Sequence, residues 1–247
     1  YFPNLWNADS AKNEAMAGQG YATYYLQVLL GKNAPPLAIS IPDYYTANAL
    51  EVNHVLIART GRVGTSAEDS QPHFLNHTES LPAGQDTLEL IFQISNFVHS
   101  KGGGLEYMRL GEKDQMFSLM KRNWALDLLL AGCFIMGAVF FLVLFMFGRH
   151  DRTIFFFALF CVAYSYRILG TDFYTFHTLF PEIPWIITLR IEYLSLYLSS
   201  LFFATYSYYL YPIETSKLFL WPSVLVCVLF SLATIVFPPT TFTQFAR

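Results

Sequence analysis

Three charged residues interrupt stretches that are otherwise apolar: Arg167 in FALFCVAYSYRILG, and Arg190 and Glu192 in WIITLRIEYLSLYLSSLFF. A charge left alone in hydrocarbon costs several kcal/mol, so such side chains pair, reach a polar boundary or serve a function. Arg167 lies about 6 Å along a helix from Thr171, and Arg190 and Glu192 lie a turn or two into the next run from the same side. Their depths match. An Arg167–Glu192 pair is the least costly arrangement, and reaching out to the headgroups is the competing use, above all for Arg190.

A second set of chemically able residues sits where alternating segments end: Asn53, Arg59, Arg62, Asn96 and His99. Loop ends on a rigid scaffold are where side chains converge on a solute, and Tyr24, Tyr25 and Tyr107 could offer a face for stacking a sugar ring. Loop polar groups are ordinarily solvated and alternating tyrosines ordinarily core, so these types alone do not establish a binding site. His73 and His77 have the i, i+4 spacing of a helical metal pair, but Pro72 and polar neighbours read as a loop, and no metal is expected. There is no phosphate-cradling glycine loop with Lys-Ser/Thr, no HExxH and no G-x-S-x-G elbow. The expectation is a non-enzyme without a cofactor.

Composition narrows the class further. Of the 247 residues, 54% are hydrophobic, 18% aromatic and 13% charged, too apolar for an ordinary soluble protein of this size. The net charge of -3 forms no basic stripe, so nucleic acid is not an expected partner. Cys133, Cys161 and Cys227 all fall in apolar runs, which leaves the polar part without a disulfide framework or a thiolate zinc site.

The elements that must position these residues change character near residue 120. Before it the period is two: Ala22, Tyr24, Leu26, Val28 and Leu30 share one strand face, and Leu88, Leu90, Phe92 and Ile94 another. PLAISIP is bracketed by prolines, and ANALEV and VLIART are separated by Asn53-His54, the spacing of a two-residue hairpin. Turn signals at 31–36, 61–64 and 81–86 recur at intervals suited to a β-sandwich. Gly102 to Gly104 read as a loop between antiparallel strands, after which Leu105, Tyr107 and Arg109 resume the alternation. Residues 112–122 read as a short polar connector. From Asn123 the chain is long and apolar enough to cross a bilayer of roughly 30 Å, and four spans are expected at about 123–148, 153–170, 185–211 and 217–237.

Several segments then carry a resemblance: FPNLWN, GQGYATYYLQV, the strand pair around VNH, the GRVG loop, ISNFVHSKGG and YMRLG, followed directly by multiple spans. Together they resemble the bacterial seven-transmembrane receptors with diverse intracellular signalling modules. The resemblance implies that residues 1–111 are an extracytoplasmic jelly-roll sandwich, akin to carbohydrate-binding modules and to the sugar-binding domain of some glycoside hydrolases, and that 123–247 begin the membrane region. It implies sugar binding as well. Two departures stand out: the family's Asn-Gly turn is Asn53-His54 here, and its seven spans with a cytoplasmic output module are represented by four spans.

Charge bias orients the spans. Arg149 and Arg152 follow the first and Lys217 the third, while 171–184 carry no basic residue, which places the β domain outside; Lys121 and Arg122 run against this. The expected protein is all-β followed by an α-helical membrane domain, in a bacterial inner membrane with its N-terminal domain periplasmic. Its expected function is that of a sensory receptor, here as a fragment or shortened relative, which binds a small carbohydrate or a periplasmic protein and passes the change through lipid-embedded spans. The alternative is a non-catalytic accessory subunit docked against other membrane subunits, which ending after four spans would favour.

Overall fold

The computed structural model describes residues 4–7, 18–31, 33–104, 106–148 and 150–244; Leu105 and Arg149, used above, lie outside them. The chain forms two compact units, one of Tyr1–Asn123 with Pro239–Arg247, the other of Trp124–Pro238.

The first unit is built on strands β1 (Gly20–Leu29), β2 (Leu37–Ile41), β3 (Ala47–Val52), β4 (Val55–Thr60), β5 (His77–Ser80), β6 (Thr87–Asn96) and β7 (Arg109–Glu112). All pairings are antiparallel, in two sheets of order β1-β6-β3-β4 and β5-β2-β7. The alternation in β6 is realised: Leu88, Leu90, Phe92 and Ile94 are buried, opposite Ile39 and Ile41 of the other sheet. Phe92 pairs with Tyr24 on one side and Leu50 on the other, and Tyr44 tilts against its ring at 5.1 Å. The β1 face is less covered, with Leu26 exposed. Asn53 and His54 both have positive φ, 51° and 63°, the left-handed pair that a type I′ hairpin turn requires. Asparagine accepts this readily; His54 is held by Glu89, 3.3 Å from its Nε2.

Strand β7 ends at Glu112 and helix α1 (Lys113–Phe147) begins at the next residue. The stretch expected to be a polar connector is therefore helical from Lys113. It contains no glycine or proline, and Lys, Arg, Gln, Met and Leu are good helix formers whatever their polarity. Helices α2 (Arg152–Gly170), α3 (Thr175–Leu179), α4 (Trp185–Leu210) and α5 (Lys217–Val236) follow, and the short α6 (Pro239–Phe242) falls in the first unit. Among the described residues α1, α2 and α4 are long and apolar enough to cross a membrane, whereas the apolar stretch of α5, Leu220–Val236, is shorter. Neither α3 nor α6 was expected.

Two kinds of packing hold the helical unit together. Phe134, Phe141 and Phe145 lie on one face of α1 by their spacing of seven and four, and meet α2 at Tyr164 (5.0 Å), Phe157 (4.9 Å) and Phe155 (4.9 Å). Helices α2 and α4 lie close together; rings meet there too, Phe157 against Tyr206 at 4.9 Å and Phe160 against Phe203 at 5.3 Å, but the residues they bury also include Ala158, Cys161 and Ser165 on α2 and Thr188, Ser195 and Ser199 on α4. Small residues let helix backbones approach in an apolar setting, where dispersion rather than the hydrophobic effect drives association.

Candidate functional site

The glycine-rich loop after β6 is a closed hydrogen-bonded structure. The Asn96 side chain supplies its centre: Nδ2 is within bonding distance of the carbonyls of Gly18 (2.6 Å), His99 (2.8 Å) and Lys101 (2.9 Å), and Oδ1 accepts the N–H groups of Val98 (3.2 Å) and His99 (2.9 Å). The amide has two hydrogens, so the three carbonyls share them. His99 is 2% exposed and stacks on Tyr45 with ring centroids 4.9 Å apart and planes 3° from parallel, while Lys101 places its ammonium over the same tyrosine. Burial pulls the His99 pKa down to about 4; the neutral ring accepts the Lys101 N–H at Nδ1, at 3.1 Å. Glycine is needed here for two reasons. A side chain at Gly102 would collide with the Gly18 carbonyl, and Gly103 has φ of 85°, a region that L residues avoid.

The other loop candidates do other things. Asn53 lies beside Glu89 near the start of β6, accepting its N–H at 2.8 Å, whereas Asn96 is the last residue of that strand. Seven residues at roughly 3.3 Å each put the two ends more than 20 Å apart, so Asn53 does not join Asn96 and His99 in one site. Arg59 and Arg62 are at the Asn96 end, since Ala49 pairs with Arg59 and Ala47 with Ser95. Each donates through Nε to a nearby carbonyl, Arg59 to Gly61 (2.7 Å) and Arg62 to Asp69 (2.6 Å). His77 opens β5, with Nε2 3.0 Å from the Thr60 hydroxyl, and shares no helix with His73. Period two identifies the face of a strand but not which end of the sheet a residue reaches, which is why the five looked equivalent in the sequence.

A recess does exist in the first unit. Between the edges carried by β1 and β7, the two sheets leave an open groove of about 210 Å³, walled by Tyr24, Leu26, Val28, Leu50, Phe92 and Met108, with Tyr107 also lining it. Tyr107 is 72% exposed, and the Tyr24 hydroxyl accepts the Trp6 indole N–H at 2.9 Å. Tyr25 belongs to the opposite face, where its hydroxyl donates to Glu89 at 2.6 Å.

In the helical unit, Arg167 and Glu192 do lie at one level: the Arg167 guanidinium donates to the Glu192 main-chain carbonyl at 3.3 Å. Arg190 does something the sequence did not suggest. Its Nη1 donates to the Ile235 carbonyl at 3.0 Å, in the last turn of α5, where a cation also complements the helix dipole. Asp127 was overlooked, although it too interrupts an apolar run; it accepts the Thr175 hydroxyl at 2.6 Å. Tyr45 and Thr243 carried no signal at all.

Comparison with known proteins gives one match over the helical region: the family model described as 7TM diverse intracellular signalling fits residues 123–247. No curated protein is similar enough to count as a match. Solved structures to which it is partly similar include a β-glucuronidase from Faecalibacterium prausnitzii, 18% identical with a TM-score of 0.30, covering 40% of this chain and 16% of that one. Others are a family 2 β-galacturonidase from Eisenbergiella tayi, 12% identical with a TM-score of 0.31 over 45% of this chain and 20% of that one, and a family 2 glycosyl hydrolase from Bacteroides cellulosilyticus, 11% and 0.31 over 44% and 16%. The chain spans a fifth or less of these structures.

Proposed function

Because the chain belongs to the 7TM diverse intracellular signalling family, we propose that it is the sensing part of a membrane receptor. The β unit, a jelly-roll sandwich, faces the periplasm of an inner membrane that the helices cross four times. It performs no catalysis. It binds a small solute that presents an apolar face, a sugar ring or an aromatic, and the spans pass the change to a cytoplasmic effector.

One observation supports this assignment above the others: the groove between β1 and β7 is lined by aliphatic side chains and by Tyr24 and Tyr107. Ligand sites are typically apolar recesses with few polar groups, and aromatic rings bind rings through their faces. By contrast, the side chains of Asn53, Asn96 and His99 are engaged in internal hydrogen bonds, so the groove is the better candidate.

Thermal unfolding of the full chain in lipid nanodiscs, against a panel of monosaccharides and small aromatics, tests the assignment. A binder should raise the melting temperature of the wild type but not that of Tyr107→Ala or of Leu50→Trp, which fills the groove. Stabilisation that persists in both variants would place the solute elsewhere. Orientation is checked by labelling: a cysteine at Asp172 should react from the periplasm and one at Asp151 should not, and the reverse pattern overturns the placement of the β unit.

A further inference from the structure

The loop that Asn96 organises also receives the chain leaving α5. After Val236 that helix is capped by Phe237, whose N–H bonds the Ala233 carbonyl, and Pro238 and Pro239 follow at once. Proline fixes φ and has no N–H, so this is a stiff tether. It leads into α6 and Thr243, which belong to the β unit, and Phe242 and Thr243 are both 0% exposed there. The Thr243 hydroxyl accepts the Ser100 N–H at 3.1 Å and donates to the Pro239 carbonyl at 2.6 Å. Ser100 stands between His99, stacked on Tyr45, and Lys101, whose carbonyl takes a hydrogen bond from Asn96. A rigid loop thus grips a rigid tether across 143 residues of sequence.

We propose that the Ser100–Thr243 contact is a latch through which the β unit holds the end of α5, so that a rearrangement of the 96–101 loop draws or releases that helix. The purpose of the movement rests on the receptor assignment above; the latch itself does not. Two features make the contact suited to the task. The hydrogen bond joins a main-chain donor to a side-chain acceptor, so it can break without disturbing a strand pairing. And the tether is too short and too stiff to absorb a displacement, in contrast with a glycine-rich linker.

Hydrogen exchange on the full chain in nanodiscs, without any solute, tests this. Thr243→Val removes the acceptor at nearly constant shape, and Thr243→Ser retains it. The Ser100 amide should exchange about tenfold faster in the valine variant, the change expected from losing one hydrogen bond, and the amides of Ile235 to Phe237 should accelerate with it, while the serine variant matches the wild type. Acceleration at Ser100 alone would reduce the contact to a local bond, and no acceleration at either place would mean that it does not form; either result overturns the latch. If Thr243→Val does not fold, the disulfide variant Ser100→Cys/Thr243→Cys serves instead: oxidation should slow exchange at Ile235 to Phe237 relative to its reduced form, and unchanged exchange there overturns the proposal. Since no solute is present, these outcomes are independent of whether Tyr107→Ala abolishes binding.

Discussion

Replacing Asn96 by alanine should destabilise the β unit more than any other single loop substitution. The side chain makes two acceptor bonds through Oδ1, to Val98 and His99, and its two Nδ2 hydrogens serve the carbonyls of Gly18, His99 and Lys101. At about 1 kcal/mol net per bond, four bonds amount to about 4 kcal/mol. The residue is buried, so the main-chain groups left behind would lack solvent as a substitute partner, which pushes the cost up rather than down. Against a typical stability of 5–15 kcal/mol this is a large fraction. Hydrogen exchange on the full chain in nanodiscs reads the effect locally at the Val98 and His99 amides, and denaturant unfolding reads it globally. Asn96→Asp is the informative companion: it keeps both acceptor bonds but turns a carboxylate towards three carbonyl oxygens, so it should be at least as damaging as alanine. A loss below about 1 kcal/mol for Asn96→Ala, with Val98 and His99 still protected, would refute the clamp and return Asn96 to the list of residues free to bind a solute.

Acid should weaken the same loop. Burial holds the His99 pKa at about 4, below the usual value near 6.5, so the unfolded chain takes up a proton first; stability is full above about pH 6.5 and falls as pH drops towards 4, by about 3 kcal/mol. Burial also lowers the pKa of His73 and His77, in the same sense. Unfolding of the wild type and of His99→Phe at pH 7 and pH 4.5 isolates the His99 share, and parallel losses in the two proteins would contradict it. Asn48 is 0% exposed, and among the described residues neither end of its amide has a hydrogen-bond partner. Asn48→Val should therefore stabilise the unit by roughly 1–3 kcal/mol, and a clear loss in melting temperature would show that the amide is bonded after all.

Much of the architecture could be read from residue types because burial imposes a period. Leu88, Leu90, Phe92 and Ile94 had to share a face, and Asn53-His54 had to be a turn once two alternating segments flanked it. What could not be read depends on distant parts of the chain meeting. Nothing in the string TTFTQ marks Thr243 as a partner of Ser100, and nothing in TLRIEY says that Arg190 reaches the carbonyl of Ile235. The polar run from Lys113 misled for a different reason: polarity describes what a segment faces, whereas helix formation there follows from backbone propensity and the absence of breakers. Asparagine and histidine at loop ends suit ligand contacts and loop closure equally well by type, and only the count of internal partners separates the two roles.

Four small buried hydroxyls between α2 and α4 turn back on their own helices: Ser165 donates to Val162, Thr188 to Trp185, Ser195 to Glu192 and Ser199 to Leu196. Among the described residues, none of the four bonds the neighbouring helix. Two polar ties do cross, from Tyr166 to the Thr188 carbonyl at 3.4 Å and from Arg167 to that of Glu192 at 3.3 Å, at the Thr171 end of the pair. Towards the Arg152 and Leu210 ends the same two helices meet through aromatic rings instead, Phe156 stacked on Tyr209 at 5.7 Å, Phe157 against Tyr206 at 4.9 Å and Phe160 against Phe203 at 5.3 Å. A hydrogen bond fixes an angle whereas a ring contact accepts a range of them, so this seam is stitched at one end and padded at the other.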